Sequence, residues 1–203
     1  MDKSGNKSKK PQWTSLLLMD SQAVKNTCTA RVKSKGFCFD KATNGIKRHL
    51  AVDTLGFPFF VHCTQANVSD DQGLIAMLSA NLEYFKARLE DLPVRPEDLP
   101  KLTILVDNGY HPSVLIAALA QVYPQMMSKV QFELAPKPSP DQKQAQGKQG
   151  FVVVPTRWVI ERSNAWMERC KSLVKNFEWT LEPAAAKVKL CFIRLMLKRL
   201  AQA

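Results

Sequence analysis

Short apolar runs and longer amphipathic stretches alternate along the chain. Runs such as TSLLLMD and LTILVD are apolar almost throughout, as expected for strands that are buried on both faces of a sheet. In other stretches apolar residues recur every three or four positions, which predicts helices packed through one face. The predicted strands are 14–20, 46–53, 57–64, 102–107, 130–134 and 151–155. The predicted helices are 69–90, 112–122, 157–177 and 183–201.

Along the chain, strands come first, helices and strands then alternate, and helices come last. This order predicts an α/β domain with a mixed sheet. Residues 1–13 are rich in Lys, Ser and Asn and are expected to form a disordered basic lead-in. Residues 136–150 are polar and are expected to be a flexible loop. A single domain at 14–203 therefore suits a chain of 203 residues.

Composition excludes several classes of protein. No apolar run approaches the roughly 20 residues of a membrane span, and the N-terminus lacks the apolar stretch of a secretory signal, so we expect a cytoplasmic protein. The 5 cysteines are widely spaced and include no CxxC pair, which indicates reduced thiols. The sequence has no GxGxxG motif, P-loop or nucleophile elbow, which disfavours a small-molecule enzyme.

The net charge of +11 is concentrated at the two ends of the chain. Residues 1–48 contain 11 Lys and Arg against 3 Asp and Glu, and residues 157–203 contain 10 against 4. Between them, residues 49–156 contain 8 against 11. Two basic flanks around an acidic middle favour a nucleic-acid partner, although membranes and acidic proteins also attract lysine-rich surfaces.

Two of the predicted buried strands end on an acid. TSLLLM runs into Asp20, and LTILV runs into Asp107. Side chains at the carboxyl ends of such strands face the crevice in which α/β sheets bind ligands. Two carboxylates there could bridge a pair of Mg²⁺ ions, as two-metal phosphoryl transfer requires. Either acid could instead simply begin a turn, which is the interpretation we favour for Asp53 in DTLG.

The predicted helix at 157–177 carries two different faces. One is an apolar stripe that we expect to join the core: Trp166, Cys170, Leu173, Val174 and Phe177. The other is polar: Arg157, Glu161, Asn164, Glu168, Lys171 and Lys175. Charged helix faces are usually solvated, but this one starts directly after a predicted strand. Glu161 could therefore reach a metal site between the strands, and the two lysines could hold phosphates further along.

Several segments together resemble the bacterial insertion-sequence DDE transposases of the fourth and fifth families. They are MDSQAVK (19–25), GIKRHLAVDTLG (45–56), ANVSDDQG (66–73), VDNGY (106–110), PTRWVIERSNAWMERCKSLVKNFE (155–178) and LMLKRLA (195–201). The resemblance covers nearly the whole chain after about residue 13, with the segments in consistent order. It implies a ribonuclease-H-like fold, a mixed sheet flanked by helices, and metal-dependent cleavage and transfer of DNA strands.

By position, the resemblance implies that Asp20, Asp107 and Glu161 are the catalytic, metal-binding acids, with two Mg²⁺ ions or Mn²⁺ in their place. Arg157 stands four residues before Glu161, as in the family signature. Val154 stands at the signature's tyrosine position, and Glu168 stands at its lysine position. Glu168 is the alternative third acid, because it shares the helix face of Glu161.

Basic residues near these acids are predicted to bind the phosphates of DNA. They are Arg157, Arg162, Lys171, Lys175, Lys47, Arg48 and Lys25. We expect His49 and His62 to be structural, whereas His111 follows the VDNGY acid and could lie near the site.

The expected partners are double-stranded DNA, as terminal inverted repeats and target DNA, and a second copy of the chain when active. Only 19 residues precede Asp20, so we expect the usual N-terminal DNA-recognition region to be lacking, as in a truncated or split reading frame. Two alternatives follow. One is an inactive remnant that binds DNA or the intact transposase, and the other is a ribonuclease-H-like nuclease without strand transfer. The expected location is the bacterial cytoplasm, at the nucleoid.

Overall fold

The computed structural model describes residues 14–90, 101–136 and 155–202. Its centre is a six-stranded mixed sheet. The strands are β1 Leu16–Lys25, β2 Gly36–Cys38, β3 Thr43–Val52, β4 Pro58–Gln65, β5 Leu102–Val106 and β6 Val130–Leu134. The helices are α1 Asp70–Ser79, α2 Leu82–Glu90, α3 Pro112–Val122, α4 Pro124–Met127, α5 Pro155–Glu168 and α6 Leu181–Leu200.

The sheet combines an antiparallel half with a parallel half. β3 pairs antiparallel with β1 on one side and with both β4 and β2 on the other. β1 pairs parallel with β5, which in turn pairs parallel with β6. This mixed sheet, flanked by helices, confirms the α/β prediction and is consistent with the ribonuclease-H-like fold that the resemblance implied.

Alternating side chains of the central strands build one core on each face of the sheet. Leu17 and Met19 of β1 join the core beneath α1, α2 and α3. Leu18, between them, joins the core beneath α5 and α6. Because β1 is covered on both faces, its first half is continuously apolar, which is the pattern that the sequence displayed.

Helix α1 is fixed at its start and along its length. The hydroxyl of its N-cap residue Ser69 accepts a hydrogen bond from the backbone N–H of Gln72. A Cβ built on Gly73 would lie 2.0 Å from the ring of His49, so only glycine lets α1 approach β3 this closely. The helix therefore sits at a fixed place against the sheet.

Several predicted boundaries were wrong. The predicted helix at 69–90 is two helices, with a break at residues 80–81. The helix predicted at 157–177 begins at Pro155 and ends at Glu168, followed by a 3₁₀ turn at Lys171–Leu173. The segment between β1 and β3, for which no strand was predicted, contains the short strand β2. The predicted strand at 151–155 lies outside the described residues except for Pro155, and so do 1–13 and most of 136–150.

The early end of α5 also changes the predicted apolar stripe. Leu173 is buried, and Trp166 and Cys170 pack against the same core. Val174 and Phe177 are exposed instead, because the chain has left the helix before reaching them. The backbone there bonds to the end of β1, where Asn176 donates its N–H to the carbonyl of Lys25 at 2.9 Å.

Candidate active site

Asp20 and Asp107 are level with each other across the parallel pair β1 and β5. The last paired residues are Leu18 and Leu105, and each acid comes two residues later on its own segment. Because side chains two residues apart in a strand lie on the same face of the sheet, both acids are on the face of Leu18 and Leu105, which pack beneath α5. β5 ends at Val106, directly before Asp107 and one residue short of the predicted strand, whereas β1 continues to Lys25 and Asp20 lies within it.

Helix α5 covers the two aspartates and contributes Glu161. Asp20, Asp107, Arg157 and Glu161 all line one cleft, whose floor is apolar and includes Ile160. The structure thus brings the three predicted acids together. Asp20 and Asp107 are half-buried, and Glu161 is exposed at the surface of the cleft.

The polar face predicted for α5 is oriented toward the sheet as far as the helix extends. Arg157 Nη2 lies 3.6 Å from Asp107 Oδ2. Asn164 Nδ2 donates a hydrogen bond of 2.7 Å to Asp20 Oδ2. One turn further, Glu168 Oε1 accepts a hydrogen bond of 3.0 Å from Gln22 Nε2, at the exposed end of this face.

Negative charge accumulates around Asp20. Burial raises the pKa of its carboxyl group, and the carboxylates of Asp107 and Asp70 raise it further. Hydrogen bonds from the backbone N–H of Ser21, at 2.8 Å, and from Asn164 oppose that rise. A cation bound beside Asp20 would relieve the repulsion from Asp107 and Asp70.

Among the described residues, no three or more acid, histidine or cysteine side chains lie in an arrangement that could hold a metal ion. The chemistry of the donors still fits a hard divalent ion, because every acidic group in the cleft offers carboxylate oxygen. Asn164 hydrogen-bonds to one carboxylate oxygen of Asp20. Arg157 lies near one carboxylate oxygen of Asp107. Asp20, Asp107 and Glu161 are the acids that line this cleft, and their side chains would have to move from the positions described for all three to hold one ion.

A second polar cluster adjoins the aspartates, and the sequence interpretation did not find it. Asp70 Oδ1 accepts hydrogen bonds from Ser21 Oγ at 2.7 Å and Lys47 Nζ at 2.8 Å. Asp70 and Lys47 line a cavity together with Asp20 and Asp107. The sequence assigned Asp70 and Asp71 only to the first turn of a helix, and no local pattern shows which strand such a residue meets.

Two of the predicted DNA contacts are turned into the protein. Arg48 is 3% exposed and donates through Nη1 to the carbonyl of Leu173 at 2.8 Å. Lys47 is 9% exposed and donates to the carbonyl of Val68 as well as to Asp70. Both hold elements of the fold together, so we exclude them from the candidate DNA surface.

The other basic residues are closer to solvent. Lys25, Lys171 and Lys175 are exposed, although the last two follow α5 and do not lie on it. Arg162 is half-buried and stacks on the rings of Trp158 and Trp166. Its Nη2 donates to the carbonyl of Leu55 at 2.8 Å, which ties α5 to the β3–β4 turn.

The three histidines differ in their surroundings. His49 is 1% exposed, its Nε2 hydrogen-bonds with Thr64 Oγ1 at 2.9 Å, and burial lowers its pKa to about 4. Burial also lowers the pKa of His62. His111 is exposed, and its Nδ1 lies 2.8 Å from Asp71 Oδ2. Neither His49 nor His62 lines the acidic cleft.

A mixed sheet of this order, with Asp20 and Asp107 just past the paired residues of β1 and β5 and a helix over them, is consistent with a ribonuclease-H-like fold. Residues 12–179 match the family described as Transposase DDE domain, and the chain belongs to this family. Membership makes it a transposase domain of the polynucleotidyl transferase type, which implies DNA binding and generally divalent metal ions. No curated protein matches the chain. Among its described helices, none has the length and apolar character needed to cross a bilayer.

Proposed function

We propose that this chain is the catalytic domain of a bacterial insertion-sequence transposase of the fourth or fifth family, and that it cleaves and transfers DNA strands. The observation that carries the proposal is the cleft in which Asp20, Asp107 and Glu161 meet. These residues are far apart in sequence, and they come from β1, from the turn after β5 and from α5. An ordinary solvated surface would not gather them over an apolar floor.

In this proposal Asp20, Asp107 and Glu161 would hold two Mg²⁺ ions, or Mn²⁺ in their place. When bound, the ions would activate a water or a DNA 3′-hydroxyl for attack and would stabilise the leaving oxygen. Asn164 orients Asp20 through its hydrogen bond. Arg157 neutralises part of the charge of Asp107 and is placed to contact a phosphate at the cleft.

DNA would extend from the cleft toward the end of β1. There the exposed residues Lys25 and Lys175 flank the junction of Asn26 with Asn176. Lys171 lies nearby and is exposed as well. Contacts of this kind fix the position of the duplex without reading its sequence. We further propose terminal inverted repeats and target DNA as the substrates, a homodimer as the active form, and the bacterial cytoplasm and nucleoid as the place of action.

The test is a cleavage and joining assay on DNA that carries the element's terminal inverted repeats, with Mg²⁺ or Mn²⁺. The wild type is expected to cut at the element ends and join them to target DNA, and a chelator is expected to stop both. Asp107→Asn should abolish cleavage but leave DNA binding nearly intact. Glu83→Gln, on the exposed face of α2, is the matched control and should behave as the wild type.

The alternative functions give different results. Cleavage without joined products would indicate a nuclease that lacks strand transfer. DNA binding without cleavage at any metal concentration would indicate an inactive remnant. Cleavage by Asp107→Asn at the wild-type rate would show that the catalytic assignment is wrong.

A further inference from the structure

The first turn of α1 bonds to both segments that carry the catalytic aspartates. Asp70 bonds to Ser21, the residue after Asp20. Asp71 accepts two hydrogen bonds from His111, one from the backbone N–H at 2.9 Å and one from Nδ1 at 2.8 Å. Adjacent residues of one helix therefore reach β1 on one side and the turn after β5 on the other.

The Asp70 contact continues to the carboxylate of Asp20. Ser21 Oγ donates to Asp70, and the backbone N–H of the same serine donates to Asp20 Oδ1. Lys47 holds Asp70 from the opposite side through a 2.8 Å ion pair. Burial would raise the pKa of Asp70, but the hydrogen bonds from Lys47 and Ser21 outweigh it, so its pKa is lowered and it stays an ionised acceptor.

The Asp71 contact fixes the turn that follows Asp107. Within this turn the N–H of Tyr110 bonds to the carbonyl of Asp107 at 3.1 Å. Tyr110 is buried and lines one cavity with Ser21 and Asp70, between this turn and β1. Helix α1 therefore holds both aspartate segments through its own hydrogen bonds.

Acids in the first turn of a helix are common, because they interact favourably with the helix dipole. That preference explains why acids occur there, but it does not explain what they bond to. The capping role is already filled by Ser69. Both aspartates bond instead to side chains or backbone of the active-site segments, and Gly73 keeps α1 pressed against β3 so that these bonds hold.

We propose that Asp70 and Asp71 are positioning residues that set the spacing and orientation of Asp20 and Asp107 for metal binding. The inference rests on the proposed function, and it assigns a role to the SDD segment that precedes and begins α1. Partners that orient metal ligands typically change metal affinity or activity by roughly 10–100-fold when they are removed. We therefore expect Asp70→Asn and Asp71→Asn to act through metal affinity and not through contact with DNA.

The experiment measures Mn²⁺ binding calorimetrically and, separately, the Mn²⁺ dependence of cleavage. Asp70→Asn and Asp71→Asn should each weaken Mn²⁺ binding by roughly tenfold or more. High Mn²⁺ should restore most of their cleavage rate, whereas it should not rescue Asp107→Asn. DNA affinity should stay near that of the wild type in both variants, and so should the unfolding midpoint of Asp71→Asn. Asp70→Asn should lower the midpoint, because Lys47 is then buried without its ion pair. Glu83→Gln controls for the loss of an acid from a neighbouring helix.

Two further variants keep the test decisive if either aspartate variant folds poorly. Ser21→Ala removes the hydroxyl that meets Asp70, and His111→Ala removes the imidazole that meets Asp71, while α1 keeps its sequence. Because Ser21 and Asp70 act through one contact, combining Ser21→Ala with Asp70→Asn should cost little more than either change alone. Full additivity of the two losses would contradict the proposed connection.

Failure of this inference is distinguishable from failure of the proposed function. If wild-type Mn²⁺ binding depends on Asp107 but is unchanged in both α1 variants, the positioning role is wrong and the metal site stands. If replacing Asp20 or Asp107 does not change the Mn²⁺ affinity, the proposed metal site is wrong and so is the positioning role. Loss of Mn²⁺ affinity in proportion to lost thermal stability would show a purely structural role.

Discussion

Asn164 Nδ2 donates a 2.7 Å hydrogen bond to Oδ2 of Asp20, so the helix that carries Glu161 also orients the carboxylate of β1. The two residues are 144 positions apart in the chain. Asn164 is one turn from Glu161 and four residues from Glu168, which places an amide between the two acids of the helix face. In a site crowded with carboxylates, a neutral donor fixes Asp20 without adding charge.

Replacing Asn164 with alanine should impair catalysis much more than stability. We expect cleavage at limiting Mn²⁺ to fall by roughly 10–100-fold, as for other residues that orient metal ligands. The free energy of unfolding should fall by only about 1 kcal/mol, because the lost hydrogen bond is partly accessible to water. Cleavage rates across a Mn²⁺ series and thermal unfolding check both expectations. Asn44→Ala, at an exposed position of β3, is the control.

The choice between Glu161 and Glu168 as third acid follows from what each side chain meets. Glu161 lines the cleft with the two aspartates, whereas Glu168 is engaged by Gln22 at the far end of the helix face. Glu161→Gln should therefore lower the cleavage rate by at least about 100-fold, equivalent to roughly 2.7 kcal/mol of barrier. Glu168→Gln should stay within a few-fold of the wild type. The reverse order in a cleavage assay would make Glu168 the catalytic acid.

The hydrophobic pattern predicted β5 and the first half of β1 well, because these segments are covered on both faces of the sheet and are continuous apolar runs. β6 has its predicted bounds, and so does α3, which begins at Pro112. The same pattern ended β1 at Asp20, five residues too early. Its second half is polar and is held by backbone pairing with β3, which leaves no periodic signal in the sequence.

The sequence indicated the three acids that line the cleft and the polar face of α5, but it did not indicate which side chains would be buried beside them. Lys47 and Arg48 looked like DNA contacts because basic residues rarely stand in buried strands. The structure buries both, because each finds acceptors on segments that are distant in sequence: Val68 and Asp70 for one, and Leu173 for the other. Such pairings come from tertiary packing, so neither charge nor periodicity in one sequence reveals them.

Arg48 and Arg157 should therefore separate stability from DNA binding. Arg48→Ala leaves a buried cavity and a carbonyl without its donor, so we expect a loss of roughly 2–4 kcal/mol in the free energy of unfolding. Arg157→Gln should leave stability near that of the wild type, because Arg157 is partly exposed and its contact with Asp107 is long, at 3.6 Å.

DNA binding should be changed by the replacement of Arg157 and not by the replacement of Arg48. Arg157→Gln should weaken binding across all sequences and reduce the slope of log affinity against log salt by roughly one, as expected when one phosphate contact is lost. Arg48→Ala, measured at a temperature at which it is folded, should keep the wild-type slope. Denaturant titrations give the free energy of unfolding of each variant, and DNA binding at several salt concentrations gives the salt slope of each. If the salt slope changed in Arg48→Ala but not in Arg157→Gln, the proposed position of the DNA at the cleft would be wrong.

The buried imidazole of His49 should make the fold less stable in mild acid. Its pKa in the folded protein is lowered to about 4 by burial, whereas an unfolded histidine titrates at 6.5. Between these values the unfolded chain binds a proton that the folded protein excludes, so the stabilisation is complete above pH 6.5 and is lost as the pH falls toward 4. A shift of this size corresponds to about 3 kcal/mol. We expect the free energy of unfolding to fall by up to that amount over this window.

Two measurements separate His49 from the carboxylates that titrate nearby. The His49 ring signals in NMR should show no titration down to about pH 5. Thr64→Val removes the partner of Nε2 but keeps the site buried, so the variant should remain sensitive to acid. Titration of His49 near pH 6.5 would mean that water reaches its ring, and α1 would then not lie against β3 as tightly as Gly73 allows.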